Sequence, residues 1–488
     1  MRASVPSRCV VFQLALSVAL VAAVACRGDR PVSPSLPDPS FGKGGSSGDP
    51  TVTSTTPSRA SPDTTLTVTV SGSGFEPGSK AVWALDGDTT FAKTKVKTNS
   101  TQYVSARQLV ANITISADAS IDLYDVQVVT LSGRKGIGIE LFAVAFGITD
   151  IGAGDVSAGY GVNSAGQVAG AIEPPLNSTD PGRAFIWTPS SPVGTTGTVR
   201  DIGTLGGAGA HAEATNEAGH VVGGTGDAAG VSHAYLWTAA GGMKSLGFPP
   251  GATAAAAWGL NDIGDVVGLA EDANTQYAVW WRVSVAADGS VQVGSVEPLA
   301  PIPGAFSTVA FAVNQRGQAV GWSIPISGGN HPIMWTRASD GWVVEDLGIL
   351  PGDAWAVARD VNDAGIAVGY SHPGQGCASA VVWTTQAGRT IGRRALPSLG
   401  GCGSEAYGIN NQGDVVGRST NAKGQAHAVL WKVASDGSPL SVTDIGVPTG
   451  SVAAVAYDVS PRVGGVAQIT GRVWYAKGAR RATLWRVP

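Results

Sequence analysis

The sequence predicts an all-β protein, in which an immunoglobulin-like β-sandwich is followed by a seven-bladed β-propeller closed by strands from both of its ends. First, a pattern of short strands recurs seven times over residues 148–488, with a period of 44 to 54 residues, which is typical of propeller blades. Second, glycine supplies 68 of the 488 residues and charged residues only 14 %, as in turn-rich β proteins. Third, no segment carries the long apolar stripe of an amphipathic helix.

Residues 1–26 predict a targeting segment. Arg2 and Arg8 provide a positive start, an apolar run follows over residues 10–25, and small residues precede Cys26. The segment Ala23-Val24-Ala25-Cys26 resembles the lipobox of bacterial lipoproteins, which implies that Cys26 is the lipidation site. The alternative is ordinary cleavage after Ala25, with Cys26 left as an incidental thiol. Either way we expect a chain in the cell envelope, outside the cytoplasm, lipid-anchored to a membrane or secreted.

Residues 27–50 predict a flexible linker, because they are rich in Pro, Gly and Ser and contain almost no large apolar side chain. Residues 51–147 predict the sandwich. Apolar and polar residues alternate there as in strands, for example over residues 66–70 and 124–128, and glycine-rich turn clusters separate these runs.

The N-terminal part of the predicted sandwich resembles a known family. The run from Pro57 to Gly78, which includes Ser61-Pro62-Asp63 and Gly74-Phe75-Glu76-Pro77-Gly78, is similar to the opening of IPT/TIG-type immunoglobulin-like domains. The later segments around residues 117–119 and 124–126 resemble strands of the same family. The resemblance implies a spacer or a binding module, here a stalk.

Residues 148–488 contain seven copies of one motif, Ala-x-x-Val/Ile-Asn-x-x-Gly-x-Val-Val-Gly, then Ala-x-x-Trp, then Asp-Ile/Leu-Gly. The asparagines are Asn163, Asn216, Asn261, Asn314, Asn362 and Asn410, with Ser460 in the seventh copy. The tryptophans are Trp187, Trp237, Trp281, Trp335, Trp383, Trp431 and Trp485. The glycines that end the Val-Val-Gly run are Gly170, Gly223, Gly268, Gly321, Gly369, Gly417 and Gly471.

Each copy predicts four strands, and the asparagine and the glycine three residues later predict a hairpin turn between the first two. We expect the tryptophans to be packing residues. The first strand carries a small residue four positions before the asparagine and a mostly large one three positions before it. These large residues are Tyr160, Glu213, Trp258, Phe311, Arg359, Tyr407 and Tyr457. We expect the small and large faces to interdigitate between blades; the alternative is that the aromatic residues line a sugar-binding channel near the axis.

The two ends of the repeat region complement each other. Residues 148–152 match the fourth strand of a blade that has no blade before it, and the chain stops at Pro488, three residues after the last tryptophan. The orphan strand therefore fits the position missing from the seventh blade, and closing the ring in this way removes exposed sheet edges.

The repeats resemble the HAF family of extracellular repeats, which is named for a His-Ala-Phe tripeptide. The motif occurs here as His233-Ala234-Tyr235, His427-Ala428-Val429 and Arg183-Ala184-Phe185, and the segment Asp201-Ile202-Gly203-Thr204-Leu205-Gly206-Gly207 is also typical of the family. The third, fourth and seventh copies depart most from the tripeptide. The family implies the architecture and leaves the function open.

Two cysteines lie in the predicted mature protein. Cys377 falls between the second and third predicted strands of the fifth copy, and Cys402 between its fourth strand and the next copy. Since these two loops emerge on the same face of a meander, Cys377 and Cys402 are disulfide candidates outside the cytoplasm. Two free thiols are the alternative.

The residues indicate binding rather than catalysis. No nucleophile, zinc or phosphate-binding motif is present. His233, His331 and His427 share one repeat position, which indicates a structural role, and His211, His220 and His372 fall in different repeats without a fixed acidic partner. The clusters at residues 86–88 and 261–265 lack the ligands of a calcium loop, so we assign no metal and no cofactor. A net charge of −4 argues against nucleic acid, and a membrane contact is expected only through the lipid anchor.

Two functions therefore remain open. The first is a monomeric, surface-anchored binding, adhesion or scaffold module that recognises a glycan or a protein through variable loops such as residues 173–182. The second is an envelope polysaccharide hydrolase or lyase. It needs acidic or basic groups that converge at the axis, and its candidates by strand position are Glu213, Arg359, Asp360 and Asp458.

Overall fold

The computed structural model describes residues 48–488, apart from 61–63, 92–93, 117–118, 120–121, 145–146, 175–180, 192–193, 195, 327, 340, 387–388, 449, 477 and 488. The predicted signal segment with Cys26, and the predicted linker up to residue 47, lie outside these residues. Every regular element in the described part is a β-strand. No helix within it has the length and apolarity that crossing a bilayer requires.

Residues 51–144 form two four-stranded sheets. The first sheet has the spatial order Thr51–Thr56, Thr64–Ser73, Gln108–Ile115, Val96–Ser105; the second has the order Arg59–Ala60, Lys135–Val144, Asp122–Val129, Lys80–Leu85. Buried and partly exposed residues alternate strictly along Gln108–Ile115, as expected for a strand with one face on a core. Val68 and Ile113 from the first sheet share one apolar cluster with Trp83 and Phe142 from the second. The two sheets therefore pack face to face.

The described residues from 147 onward form seven further four-stranded antiparallel sheets, which we number sheets 1 to 7 in chain order. Sheet 1 comprises Ser157–Val162, Val168–Ile172, Arg183–Pro189 and Gly197–Asp201; sheet 2 Gly206–Thr215, Val221–Asp227, Ser232–Thr238 and Gly242–Ser245; sheet 3 Ala254–Leu260, Asp265–Glu271, Gln276–Val285 and Val291–Pro298; sheet 4 Ala305–Val313, Gln318–Pro325, His331–Ala338 and Gly341–Asp346. Sheet 5 comprises Trp355–Val361, Ile366–His372, Ser379–Gln386 and Arg389–Ala395; sheet 6 Gly400–Ile409, Asp414–Asn421, Ala426–Val433 and Pro439–Asp444; sheet 7 Ser451–Val459, Ala467–Tyr475, Arg480–Val487 and Gly147–Asp150.

The seven sheets form a closed ring with their first strands innermost. Each first strand contacts the first strand of the next sheet, and that of sheet 7 contacts that of sheet 1. Consecutive sheets share apolar clusters; Ile186 of sheet 1, for example, belongs to one cluster with Ala212 and Tyr235 of sheet 2. The faces of neighbouring sheets thus bury each other, and the inner edges of the sheets surround the axis.

Sheet 7 is completed by a strand from the start of the repeat region. Gly147–Asp150 pairs antiparallel with Arg480–Val487, with Thr149 opposite Leu484 and Ile148 opposite Trp485. This is the pairing expected from the sequence. It satisfies the backbone of what would otherwise be the exposed edge of the last sheet.

The seven tryptophans are buried, as the sequence predicts, and most of them also connect neighbouring sheets. The indole N–H of five of them donates to a backbone carbonyl that follows the last strand of the preceding sheet. These pairs are Trp281–Gly247 (3.2 Å), Trp335–Ala300 (2.6 Å), Trp383–Gly348 (2.8 Å), Trp431–Pro397 (2.7 Å) and Trp485–Gly446 (3.2 Å). Each indole therefore satisfies its donor while it fixes the distance between two sheets.

Cys377 and Cys402 form a disulfide, with their Cα atoms 5.7 Å apart. Cys377 lies between the second and third strands of sheet 5. Cys402 lies within Gly400–Ile409, the first strand of sheet 6, and not in the preceding loop as the sequence predicts, because this strand begins several residues earlier than the repeat pattern indicates. The disulfide therefore links sheet 5 to sheet 6.

Candidate functional site

A cavity of about 800 Å³ runs along the axis of the ring. Its wall includes Trp355, at the start of the first strand of sheet 5, and Asp363, just after the end of that strand. Beside sheet 5 the cavity therefore extends along the whole length of the innermost strand. The disulfide Cys377–Cys402 forms part of the wall near the same end as Trp355.

The residues that line the middle of the cavity come from a β-bulge at one equivalent position in every sheet. In sheet 3, for example, Ala257 pairs with Gly268 and Gly259 with Val267, so Trp258 has no partner on the second strand. A bulged residue is turned out of the alternation of its strand. The seven bulged residues all line the cavity: Tyr160, Glu213, Trp258, Phe311, Arg359, Tyr407 and Tyr457.

This arrangement corrects the prediction that these large side chains interdigitate between neighbouring sheets. That prediction assumes that alternation continues through the whole first strand, whereas the bulge directs the side chain toward the axis. Trp258 and Phe311 meet edge to face with ring centroids 5.6 Å apart, and Tyr407 meets Tyr457 in the same way at 5.4 Å. The aromatic residues thus contact each other around the cavity wall, between one sheet and the next.

The glycine of the Val-Val-Gly run is the sequence signal that could have revealed the bulges. In sheet 3 a Cβ atom on Gly268 would overlap the carbonyl oxygen of Ala256, one residue before the position opposite the glycine. The equivalent glycine is equally crowded by a first-strand carbonyl in all seven sheets. A glycine in the interior of a strand often marks a bulge on the neighbouring strand, and here it marks seven of them.

The motif asparagines form a belt of hydrogen bonds around one end of the cavity. Each Oδ1 accepts from the backbone N–H four residues later, as a turn residue does; for Asn314 this donor is Gln318 at 2.9 Å. Each Nδ2 also donates to the backbone carbonyl of the equivalent residue in the next sheet. These bonds are Asn163 to Asn216 (3.0 Å), Asn216 to Asn261 (3.3 Å), Asn261 to Asn314 (2.9 Å), Asn314 to Asn362 (2.9 Å), Asn362 to Asn410 (3.3 Å) and Asn410 to Ser460 (2.9 Å). The turn role predicted for the asparagines is confirmed, and the bonds between sheets add a second role.

The belt is completed where the asparagine is missing. Ser460 has no amide group to donate, and Gln468 of sheet 7 instead donates from its Nε2 to the carbonyl of Ser164 in the sheet 1 turn, at 2.9 Å. Sheet 7 is therefore tied to sheet 1 by a side chain from its second strand.

Asp360 and Asp458 are bound to the backbone. Each carboxylate accepts from the N–H of the residue after it and from an N–H of the next sheet: Asp360 from Val361 and Ile409, both at 2.7 Å, and Asp458 from Val459 at 2.7 Å and Val162 at 2.8 Å. Burial raises the pKa of Asp360 to about 6 and that of Asp458 to about 7. The hydrogen bonds of these two aspartates connect one sheet to the next, and this structural role accounts for their presence beside the cavity.

Two further acidic side chains are held by arginines. Two nitrogens of Arg418 donate hydrogen bonds to the Glu405 carboxylate, at 3.1 and 2.6 Å. Glu405 also accepts a hydrogen bond from the Tyr407 hydroxyl. Arg472 pairs with Glu173 and donates to the Tyr160 hydroxyl at 3.1 Å. These two guanidinium groups are neutralised by protein carboxylates.

Glu213 is the acidic bulged residue, on sheet 2. Its side chain is only 10 % exposed, and the ionisable side chain beside it is that of His211, with His211 Nε2 3.5 Å from Glu213 Oε1. Burial raises the pKa of Glu213 to about 8, partly offset by the charges of Arg359 and Arg472, so the carboxyl group is mostly protonated at neutral pH. Burial lowers the pKa of His211 to about 4, which keeps the imidazole uncharged.

Arg359 is the basic bulged residue, on sheet 5. Its guanidinium carbon lies 4.5 Å from the centre of the Phe311 ring, 5.6 Å from that of Tyr370 and 5.7 Å from that of Tyr407. One terminal nitrogen donates to the Tyr370 hydroxyl at 3.3 Å, and the buried Nε has no acceptor within the described residues. Unlike Arg418 and Arg472, Arg359 has no carboxylate of a described residue within ion-pair distance.

The other predicted positions lie away from the cavity. His331 and His427 bind the aspartates Asp346 and Asp444 at 2.7 and 2.6 Å, and His233 binds Asp227 at 3.0 Å, which agrees with the structural role predicted for these three repeat histidines. No group of three metal-ligating side chains occurs in the described residues. Of the loop 173–182, residues 175–180 lie outside the described residues.

Comparison of the chain with known proteins finds matches among solved structures. No family profile matches the sequence, and no curated protein matches it. Among solved structures, a protein of unknown function from Dyadobacter fermentans aligns at 11 % identity over 70 % of this chain and 97 % of that chain, with a TM-score of 0.39. A Trypanosoma rangeli sialidase in complex with sialic acid aligns at 11 % identity over 85 % of this chain and 59 % of that chain, with a TM-score of 0.34. A lectin of Aleuria aurantia in complex with α-methyl-L-fucoside aligns at 10 % identity over 60 % of this chain and 96 % of that chain, with a TM-score of 0.31. At TM-scores below 0.5 these likenesses carry no argument about function.

Proposed function

We propose that sheets 1–7 form a seven-bladed β-propeller that binds a carbohydrate in its central cavity, and that the protein is an extracytoplasmic binding module. The predicted lipid anchor at Cys26, the immunoglobulin-like character of the N-terminal sandwich and membership of the HAF family belong to the same proposal. They describe a propeller carried by a stalk at the surface of a membrane.

The observation that carries the proposal is the set of seven bulged side chains around the cavity. Five of them are aromatic, and the other two are Glu213 and Arg359. Sugar rings offer apolar C–H faces together with a rim of hydroxyl groups, so aromatic faces combined with a few fixed polar groups suit them. A cavity of about 800 Å³ has room for a short oligosaccharide or for the end of a longer chain.

Catalysis is the alternative, and the same wall disfavours it. A glycoside hydrolase needs two carboxyl groups that are free to act on one bond. Among the described acidic residues of the wall, Asp360 and Asp458 hold backbone N–H groups and Glu405 pairs with Arg418. Glu217, Asp262 and Asp363 accept hydrogen bonds from the turn of the preceding sheet. Among the described carboxyl groups of this wall, Glu213 is then the one without a hydrogen-bond donor.

The test uses the full chain, purified in detergent, on a carbohydrate microarray, followed by calorimetry with the glycans it binds. Phe311→Ala removes an aromatic face from the cavity, whereas Phe306→Ala removes the same side chain from an exposed position on the same strand. We expect Phe311→Ala to weaken binding about 10-fold, since a stacked aromatic contact contributes about 1 kcal/mol or more. Phe306→Ala should leave the affinity unchanged.

Two results would contradict the proposal. If the two phenylalanine variants bind alike, the site lies elsewhere, for instance on the outer loops. If wild-type protein releases new reducing ends or unsaturated ends from a bound glycan and Glu213→Gln does not, the protein is an enzyme.

A further inference from the structure

The two arginines of the cavity wall differ in their partners, in a wall that holds more acidic side chains than basic ones. Arg418 is matched by Glu405, and outside the wall Arg472 is matched by Glu173. Arg359 has no matching carboxylate among the described residues, although it is partly buried and its Nε is fully enclosed. A guanidinium group stays charged at any physiological pH, so it cannot escape the cost of burial by losing its proton.

The protein holds this unmatched group in a fixed orientation. The faces of Phe311, Tyr370 and Tyr407 surround the guanidinium, and the Tyr370 hydroxyl takes one of its donors. Cation–π contacts of this kind stabilise the charge but provide no acceptors for the remaining N–H groups of the guanidinium. The enclosed Nε is beyond the reach of a ligand, whereas the second terminal nitrogen is not fully buried, has no acceptor within the described residues and can donate to one.

Glu213 does not supply the missing counter-charge. It lies on sheet 2, three sheets away from sheet 5 in a ring of seven, and therefore on the far side of the cavity. No hydrogen bond or ion pair connects the two side chains in the described structure. Burial also raises the pKa of Glu213 to about 8, so at neutral pH it presents a neutral carboxylic acid that can donate a hydrogen bond. The two bulged polar residues thus offer a cation on one side of the cavity and a neutral donor on the other.

We propose that the carbohydrate bound by this cavity is an acidic one, and that Arg359 binds its carboxylate while the aromatic wall contacts the sugar ring. The inference rests on the proposed function, because it names the ligand class of the same cavity. The planar fork of Arg359 matches the two oxygens of a carboxylate, as two parallel N–H···O bonds require. A uronic acid places such a group on the edge of a ring whose faces can stack on wall aromatics that do not face Arg359, such as Trp258 and Tyr457.

The experiment compares glycans that differ in this one group. The full chain is tested by microarray against oligosaccharides that contain uronic acids or sialic acids and against neutral oligosaccharides, and by calorimetry against oligogalacturonates and their methyl esters or the equivalent pair for the glycan bound best. The variants are Arg359→Gln, which removes the charge, and Arg359→Lys, which keeps the charge but not the planar fork. The control is Arg389→Gln, an exposed arginine on the outer strand of the same sheet.

We expect acidic glycans to be bound in preference to neutral ones and the free acid in preference to its ester. Arg359→Gln should weaken binding of the acid about 30-fold and that of the ester less than about 2-fold, because only the acid makes the charge-assisted pair. Arg359→Lys should fall between Arg359→Gln and wild type, and Arg389→Gln should match wild type.

Each contrary result has a distinct meaning. If the glycans bound are neutral, or acid and ester bind alike, the cavity is a carbohydrate site and the inference about the carboxylate is wrong. If acidic glycans bind and both Arg359 variants retain wild-type affinity, Arg359 is not the group that binds them. If no glycan binds at all, the proposed function fails and the inference fails with it.

Discussion

Glu213→Gln should make the stability of the ring less sensitive to pH. The folded state raises the pKa of Glu213 from 4.5 to about 8, so its contribution to stability is complete below pH 4.5, is lost as the pH rises toward 8 and is constant above that. Between pH 5 and pH 9 the loss is about 4 kcal/mol, at about 1.4 kcal/mol for each unit of pKa shift. The groups that face Glu213 are Arg359, Arg472, Glu173 and His211, and His211 stays uncharged over this range because its pKa is about 4.

The assay is calorimetric melting of wild type and Glu213→Gln at pH 5, 7 and 9. An unfolding entropy of about 2 cal/mol/K per residue gives the ring about 0.7 kcal/mol/K, so 4 kcal/mol corresponds to about 6 °C in Tm. We expect the drop in Tm from pH 5 to pH 9 to be smaller by about this amount in the variant. Glu345→Gln, on the outer strand of sheet 4, is the control and should follow the wild-type profile. Parallel profiles for wild type and Glu213→Gln would refute the reasoning, because Glu213 would then be ionised at neutral pH and would partly balance Arg359.

Three further changes test the ring itself by urea unfolding. Gly268→Ala should lower the free energy of unfolding by about 3 kcal/mol, because the new Cβ overlaps the Ala256 carbonyl, whereas Gly226→Ala on the second strand of sheet 2 has room and should cost little. Asn314→Ala removes hydrogen bonds to Gln318 and to the Asn362 carbonyl and should lower the free energy of unfolding by about 2 kcal/mol. The control Asn274→Ala, at an exposed position, should change it by almost nothing. Equal effects of the two substitutions would mean that the asparagine belt does not stabilise the ring. Cys377→Ser opens a loop with a sequence separation of 25 and should cost about 3.5 kcal/mol, and reductant should produce the same loss in wild type but none in the variant.

Long-range features of the ring were predictable where the sequence repeats. A single tryptophan would not indicate its own role, but seven tryptophans at the same position of the repeat indicate a shared structural role. All seven are buried in the structure. The antiparallel pairing of Thr149 with Leu484 followed from comparing the first and last copies, because a strand without a sheet and a sheet without a strand complete each other.

Periodicity favours sheet packing for the bulged side chains over the alternative of a channel near the axis, because it assumes unbroken alternation. The extra residue in the strand instead turns Trp258 and Phe311 into the cavity, as in that alternative. The crowded glycine opposite the bulge was visible in every copy, as Gly268 is in sheet 3, and a strand glycine of this kind indicates a bulge.

The partners of the two arginines in the cavity wall could not be predicted from the sequence either. Arg359 lies on the first strand of sheet 5 and Arg418 on the second strand of sheet 6, and the local sequence of each says nothing about its partner. Three-dimensional placement gives Arg418 the carboxylate of Glu405 and gives Arg359 three aromatic rings. Pairing between strands and sheets that are distant in sequence decides which charge is left unmatched.

The most direct test of the central claim is a crystal structure of the protein with the oligosaccharide that it binds best. We expect the sugar in the central cavity, stacked on the bulged aromatic residues, with a carboxylate within hydrogen-bond distance of Arg359 and a hydroxyl or carboxylate oxygen near Glu213. An oligosaccharide held by the outer loops, with the cavity filled only by water, would contradict the account.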